Sequence, residues 1–235
     1  MKTYIIRRDK NSRLIVVYGG WGNDEKIFTP LCSKDSDYIF FSHYSADEPM
    51  VLPEMKKYEH ITVIGWSLGV WAAEYLTAKT RIIPNLAIAV NGTPVPADDR
   101  YGIPMKAFEG TLNNISDRNM TKFYFRMFGD KNTFEANYER VPSRTVKSLS
   151  DELRWLYNRI MEPKESLFKW DIALISENDR IFPTKNLLAY WHTRQETVSI
   201  TLKQPHYLFH SWKSFDDLVS FATQQLDTQR QIRNL

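Results

Sequence analysis

The stretch Ile61-Thr62-Val63-Ile64-Gly65-Trp66-Ser67-Leu68-Gly69 restricts what this chain can fold into more than any other. A short β-branched run feeds a Gly-x-Ser-x-Gly pentapeptide, and Val70-Trp71-Ala72-Ala73-Glu74-Tyr75-Leu76 carries on as a helix. A strand that turns sharply into a helix at a serine is a nucleophile elbow. The turn strains the serine backbone and lifts the Ser67 hydroxyl clear of the sheet, while Gly65 and Gly69 sit where a Cβ would strike a neighbouring strand or helix. Five such residues also arise by chance in chains of this length, so the strand-to-helix setting is what gives them weight.

The rest of the chain supplies a sheet for the elbow to belong to. Residues 4–8 and 14–18 read as a hairpin around the polar turn Asp9-Lys10-Asn11-Ser12. Residues 38–41, 61–65 and 86–90 are further strands, the last ending at Asn91-Gly92-Thr93-Pro94. Strand character disappears over residues 93–165, where charged and aromatic helical stretches take over. It resumes at Trp170-Asp171-Ile172-Ala173-Leu174-Ile175, followed by a helix at 184–192, a strand at 197–202 and a last helix near 215–226. Such alternation predicts an α/β fold: a mostly parallel sheet, helices on both faces, and a helical cap inserted over its carboxyl edge. The expected organisation is a core of residues 1–92 and 166–235 with the cap at 93–165. Only the Gln/Arg/Asn-rich tail after Leu226 is expected to fray.

A serine hydroxyl needs a base, and the base needs an orienting carboxylate. In hydrolases with this elbow the chain order is Ser, then Asp or Glu, then His. Asp179 lies in the polar loop after the 172–175 strand, and His206 lies in Gln204-Pro205-His206-Tyr207 after the 197–202 strand. Both therefore fall at carboxyl ends of strands, on the sheet edge that carries Ser67. Glu177 is a rival acid, Asp179 could instead be a turn or capping residue, and His210 is the nearest rival histidine, four residues along. Stabilising an oxyanion takes two preorganised donors. One candidate is the backbone N–H of Leu68. The other is the N–H of Trp21, in the Gly19-Gly20-Trp21-Gly22 loop after the 14–18 strand, which could equally be a glycine turn with a hydrophobic plug.

Within residues 116–128, a helical period places Met120, Phe123, Tyr124, Met127 and Phe128 on one face and Arg118, Lys122 and Arg126 on another. Across residues 118–147 seven basic residues stand against three acidic, an excess larger than the +3 of the whole chain. A basic cap would steer an acidic macromolecule to the mouth of the site, unless it is simply a solvated face.

Composition sets the outer limits. A chain of 235 residues fits one large α/β domain with an insertion. Seven Trp, twelve Tyr and thirteen Phe favour a large apolar pocket or a covered site. A charge of +3 is too slight to argue for nucleic acid, and no run has the eighteen or so apolar residues of a membrane span. Cys32 is the only cysteine and the first residues turn charged too early for a secretory signal, which together point to the cytoplasm. No cluster has metal-ligand spacing, and the Gly19–22 loop lacks a phosphate or dinucleotide pattern, so no cofactor is expected.

Taken together, the chain resembles the BioG family of pimeloyl-acyl-carrier-protein methyl ester esterases, atypical α/β-hydrolases of biotin synthesis. The resemblance covers nearly the full length. It rests on Gly20-Trp21-Gly22, on Gly65-Trp66-Ser67-Leu68-Gly69-Val70-Trp71, and on Ala89-Val90-Asn91-Gly92-Thr93 with Pro96-Ala97-Asp98-Asp99 and Gly102-Ile103-Pro104. It continues through Phe108-Glu109-Gly110-Thr111-Leu112, Gly129-Asp130-Lys131, Asp179-Arg180-Ile181-Phe182 and His206-Tyr207. The resemblance implies a Ser67–Asp179–His206 triad and an oxyanion hole from the Trp21 and Leu68 amides. It also implies a methyl-pimeloyl substrate on acyl carrier protein, an acidic partner for Arg118, Lys122 and Arg126. Pro205 before the histidine departs from the pattern and restricts its approach. A thioesterase or general short-chain esterase would keep the same triad; a non-catalytic binding module would not need it.

Overall fold

The computed structural model describes residues 1–7, 11–45, 52–80, 82–162 and 168–233. Seven strands form one sheet: β1 (Lys2–Ile6), β2 (Arg13–Tyr18), β3 (Asp37–Ser42), β4 (His60–Trp66), β5 (Leu86–Val90), β6 (Ile172–Ser176) and β7 (Val198–Leu202). Their order across the sheet is β1-β3-β2-β4-β5-β6-β7, and every pairing is parallel except β1 with β3. Apolar runs such as Leu14-Ile15-Val16-Val17-Tyr18 and Tyr38-Ile39-Phe40-Phe41 are buried along their whole length, as strands covered on both faces must be. At the edges β1 and β7 expose part of their residues.

The expected hairpin of the first two strands does not form. β1 pairs antiparallel with β3, while β2 lies between β3 and β4. β2 and β3 are both apolar and buried and take the sheet interior, while the amphipathic β1 caps the edge that β3 offers. Asp9 and Lys10 of the expected turn lie outside the described residues.

Helices cover both faces. Helix α1 (Leu68–Thr80) packs on β4 and β2, and its Thr77 hydroxyl meets that of Tyr18, whose ring stacks on Phe41. Phe40 points the other way, toward Phe215 of the last helix, Phe215–Arg233. That helix runs on past Leu226, so the tail expected to fray is helical as far as Arg233. Between β5 and β6 the chain forms α2 (Met105–Leu112), α3 (Asp117–Phe128), α4 (Lys131–Ala136) and α5 (Val146–Ile160). α6 (Thr184–Trp191) joins β6 to β7, and the Phe215–Arg233 helix is α7. Among the described residues no helix is long and apolar enough to cross a membrane.

The strand order reverses at β2: β3 lies on one side of it and β4 on the other. Loops leaving the carboxyl ends of β2 and β4 diverge there and open a crevice, which is where ligands settle in such sheets. The two loops are Gly19–22 and the elbow.

Candidate active site

Ser67 turns the chain from β4 into α1 with φ of 58°, a left-handed conformation that an L-residue adopts at a cost of roughly 1–2 kcal/mol. The turn is held by Ser67 N–H donating to Val90 O at 2.9 Å and Val70 N–H donating to Ser67 O at 3.1 Å. Gly69 explains why the pentapeptide needs its second glycine, since a Cβ there would fall on the carbonyl oxygens of Tyr18 and Gly19. The β2 loop also packs on the serine: a Cβ on Gly20 would lie 2.9 Å from Ser67 Cβ and 3.4 Å from its Oγ.

His206 and Asp179 meet as the topology requires. Asp179 Oδ2 lies 2.7 Å from His206 Nδ1, with both side chains buried. The other oxygen, Oδ1, accepts the N–H groups of Ile181 at 2.7 Å and Phe182 at 2.9 Å. The turn-capping role and the histidine-orienting position therefore coexist on one carboxylate. The imidazole stacks on Phe182 at 6.2 Å and tilts against Trp66 at 5.4 Å. A carboxylate on Nδ1 favours the tautomer with its proton there, leaving the Nε2 lone pair free to accept a proton. Ser67 Oγ makes no hydrogen bond among the described residues; such contacts often tighten only once substrate is bound. Glu177 is exposed, and His210 bonds to Gln204 instead, so neither rival joins the site.

The two residues expected to supply oxyanion donors border the same space. Trp21, Ser67 and Leu68 line one cavity of about 770 Å³. Among the described residues neither the Trp21 N–H nor the Leu68 N–H donates a hydrogen bond. The first is free because the loop holds its neighbours instead, the second because it opens a helix. The cavity wall is largely apolar and includes Ile103, Phe108, Met120, Phe123, Leu153 and Ile181. Lys122, Arg126 and Arg180 add positive charge to its lining.

α3 folds as its period predicts. Ser116 caps it, accepting from Asn119 N–H, and Met120, Tyr124, Met127 and Phe128 are buried. Arg118, Lys122 and Arg126 are exposed, and among the described residues none of the three is in an ion pair. The wider basic surface is smaller than the sequence suggests. Arg144 is buried against Glu152, Arg140 bonds to the Tyr207 hydroxyl, and Lys131 and Lys147 pair with acids one turn along.

Asn91 is a site residue that motif reasoning does not single out. Its φ is 45°, its Nδ2 donates to Ser176 Oγ and to His206 O, each at 2.8 Å, and its Oδ1 accepts Ser176 N–H at 2.7 Å. It thus locks β5 to β6 and holds the peptide of His206, which Trp66 Nε1 also contacts at 3.1 Å. Its signal is a polar residue ending a buried strand. The Pro205 peptide lies against α3: Tyr207 N–H donates to Met127 O at 2.9 Å, and a Cβ on Gly129 would reach Pro205. The proline thus shapes a contact between the histidine loop and the inserted helices. Replacing Asn91 by alanine should cost about 2–4 kcal/mol, from unpaired buried groups and a strained φ. A fall in Tm of roughly 5–15 °C by calorimetry, with weaker activity, is the expected result.

Among the described residues no group of three or more His, Cys, Asp or Glu could hold a metal ion. Sheet order, elbow, acid–histidine pair and inserted helices define an α/β-hydrolase. Over residues 1–218 the chain matches the family described as pimeloyl-ACP methyl esterase BioG, and it belongs to that family. The crystal structure of BioG from Haemophilus influenzae superimposes with a TM-score of 0.82 at 31% identity, covering 93% of this chain and 99% of that one. An esterase from Exiguobacterium antarcticum shares the fold at a TM-score of 0.68 and 14% identity, covering 94% of both chains. A malonyl-[acyl-carrier protein] O-methyltransferase of Bacteroides fragilis is 39% identical over 178 residues, 75% of this chain but 36% of that protein. The chain thus spans little more than a third of that relative's length.

Proposed function

We propose that the protein is a serine carboxylesterase that hydrolyses the methyl ester of pimeloyl-[acyl-carrier protein] to methanol and the free acid in biotin biosynthesis. Ser67, Asp179 and His206 form the triad, and the amides of Trp21 and Leu68 the oxyanion hole. The block 93–165 is the cap, and Arg118, Lys122 and Arg126 on it dock the acidic carrier protein. The observation that carries this reading is the buried 2.7 Å Asp179–His206 pair, on the sheet edge where the elbow sets Ser67 at a cavity lined by apolar and cationic side chains. The name of the family points the same way.

In this reaction Ser67 Oγ attacks the ester carbonyl as His206 Nε2 takes its proton. The negative charge collects on the former carbonyl oxygen between the two amides. His206 returns the proton to the departing methoxide, and methanol leaves an acyl-enzyme. Water, deprotonated by the same nitrogen, attacks the acyl carbon; Ser67 recovers its proton and the free carboxylate is released. That new charge lies against an apolar wall, where a desolvated carboxylate is costly, so its release is favoured. None of these steps calls for a cofactor. The reading places the protein in the cytoplasm, beside its carrier protein, with Cys32 reduced.

Reversing the charge of Arg118, Lys122 and Arg126 tests the docking. The ratio of kcat/KM for methyl-pimeloyl carrier protein to that for a small free methyl ester should fall about tenfold or more, and its dependence on salt should flatten. An unchanged ratio would point to a general esterase acting on free molecules.

A further inference from the structure

The loop Gly19-Gly20-Trp21-Gly22 owes its path to a buried carboxylate far along the chain. Glu152 on α5 accepts Gly22 N–H through Oε2 at 3.0 Å and Tyr44 N–H through Oε1 at 2.9 Å. Arg144 Nη1 lies 2.5 Å from Oε2, and both side chains are buried. Arg144 is braced in turn by Ser148 Oγ at 2.6 Å and donates to Asn23 O at 3.3 Å. One turn back on α5, Leu149 O accepts the Trp21 indole N–H at 2.8 Å. Tyr124 of α3 donates to Gly22 O at 3.3 Å, and Tyr44 donates to Gly19 O at 2.9 Å.

The groups flanking the Trp21 amide are therefore fixed from the inserted helices and from Tyr44, while Trp21 lines the cavity and its amide donates no hydrogen bond among the described residues. Gly22 can hold this path because its φ is +78°. Burial holds the Glu152 carboxyl above the ordinary carboxylate range, against the opposing pull of Arg144 and the two amides. A buried ion pair is a costly fastener, since apolar packing would secure a helix to a loop at least as well. What an apolar contact cannot do is hold two backbone N–H groups in a set direction.

We propose that Glu152, braced by Arg144, is a positioning residue that aims the Trp21 N–H at the oxyanion formed on the Ser67 substrate. It rests on the proposed esterase chemistry and makes α5 part of the oxyanion hole, so the cap and the catalytic loop form one unit. Gln at 152 keeps the volume and one acceptor; Ala keeps neither.

The test is the rate at which a fluorophosphonate labels Ser67 in wild type, Glu152→Gln and Glu152→Ala, with KM and kcat for methyl-pimeloyl carrier protein. The probe passes through its own oxyanion, so its rate reads the hole without depending on the natural substrate. Labelling and kcat should fall about 10²-fold in Glu152→Ala and by a smaller factor, about tenfold, in Glu152→Gln, with KM within about threefold of wild type. Wild type that labels normally, with variants within about threefold of it, overturns the proposal and leaves the Ser67 reading standing. A rise in KM alone overturns it in the same way. Wild type that does not label overturns the Ser67 reading, and this proposal with it. Should Glu152→Ala fail to fold, the isosteric Glu152→Gln decides by the same thresholds.

Discussion

Ser67→Ala is expected to retain the fold and lose about 10⁵–10⁶-fold in kcat, the scale on which removing a triad nucleophile acts. The backbone at this position is held by its own amide bonding to Val90 and by Val70 bonding to its carbonyl, neither of which involves the hydroxyl. Alanine meets the φ of 58° with the same Cβ as serine, so the elbow's strain is unchanged. The hydroxyl makes no hydrogen bond among the described residues, so Tm should move by only a few degrees. Steady-state hydrolysis and a thermal scan on the same preparation would settle it. A folded variant retaining more than about 1% of turnover would place the nucleophile elsewhere.

Asp179→Asn is the second large effect, and its interest lies in how little it should disturb. The amide oxygen can still accept the Ile181 and Phe182 N–H groups that the carboxylate takes at 2.7 and 2.9 Å. The amide nitrogen then faces His206 Nδ1 and donates to it. That moves the imidazole proton to Nε2, the atom that must receive the serine proton. A loss of about 10⁴-fold in kcat is expected, with KM little changed, because the error is one of tautomer rather than of shape. If kcat stayed within about tenfold of wild type, Asp179 would be only the turn residue that its Oδ1 contacts already make it.

Much of the fold is legible because its signals are local. The β-branched run before the elbow, the alternation of strands and helices, and the period of α3 each lie within one segment. The order Ser67, Asp179, His206 is legible for a different reason: all three end strands of one parallel sheet, so the topology brings them to one edge. Pairings between distant segments leave no such trace. The placement of β1 beside β3 rather than β2 is a pairing across some thirty residues of chain, and a polar turn sequence cannot report it. Arg144 reads as one more surface cation until Glu152 is found beside it, and neither residue's neighbours in sequence mark it as buried. Asn91 is visible in the sequence only as part of a resemblance; its work of tying Ser176 to the histidine loop spans 85 and 115 residues. Asp179 meets two sets of partners at once, one oxygen lying on His206 and the other taking two loop amides.

The most direct measurement is intact-protein mass spectrometry of methyl-pimeloyl carrier protein incubated with this enzyme and with its Ser67→Ala variant. Wild type should shift the carrier protein down by the mass of one methylene, methanol leaving as water adds, with the pimeloyl arm still attached and no shift from the variant. Loss of the whole acyl group, leaving a free phosphopantetheine thiol, would identify a thioesterase instead. A carrier protein unchanged in mass would contradict the proposed reaction altogether.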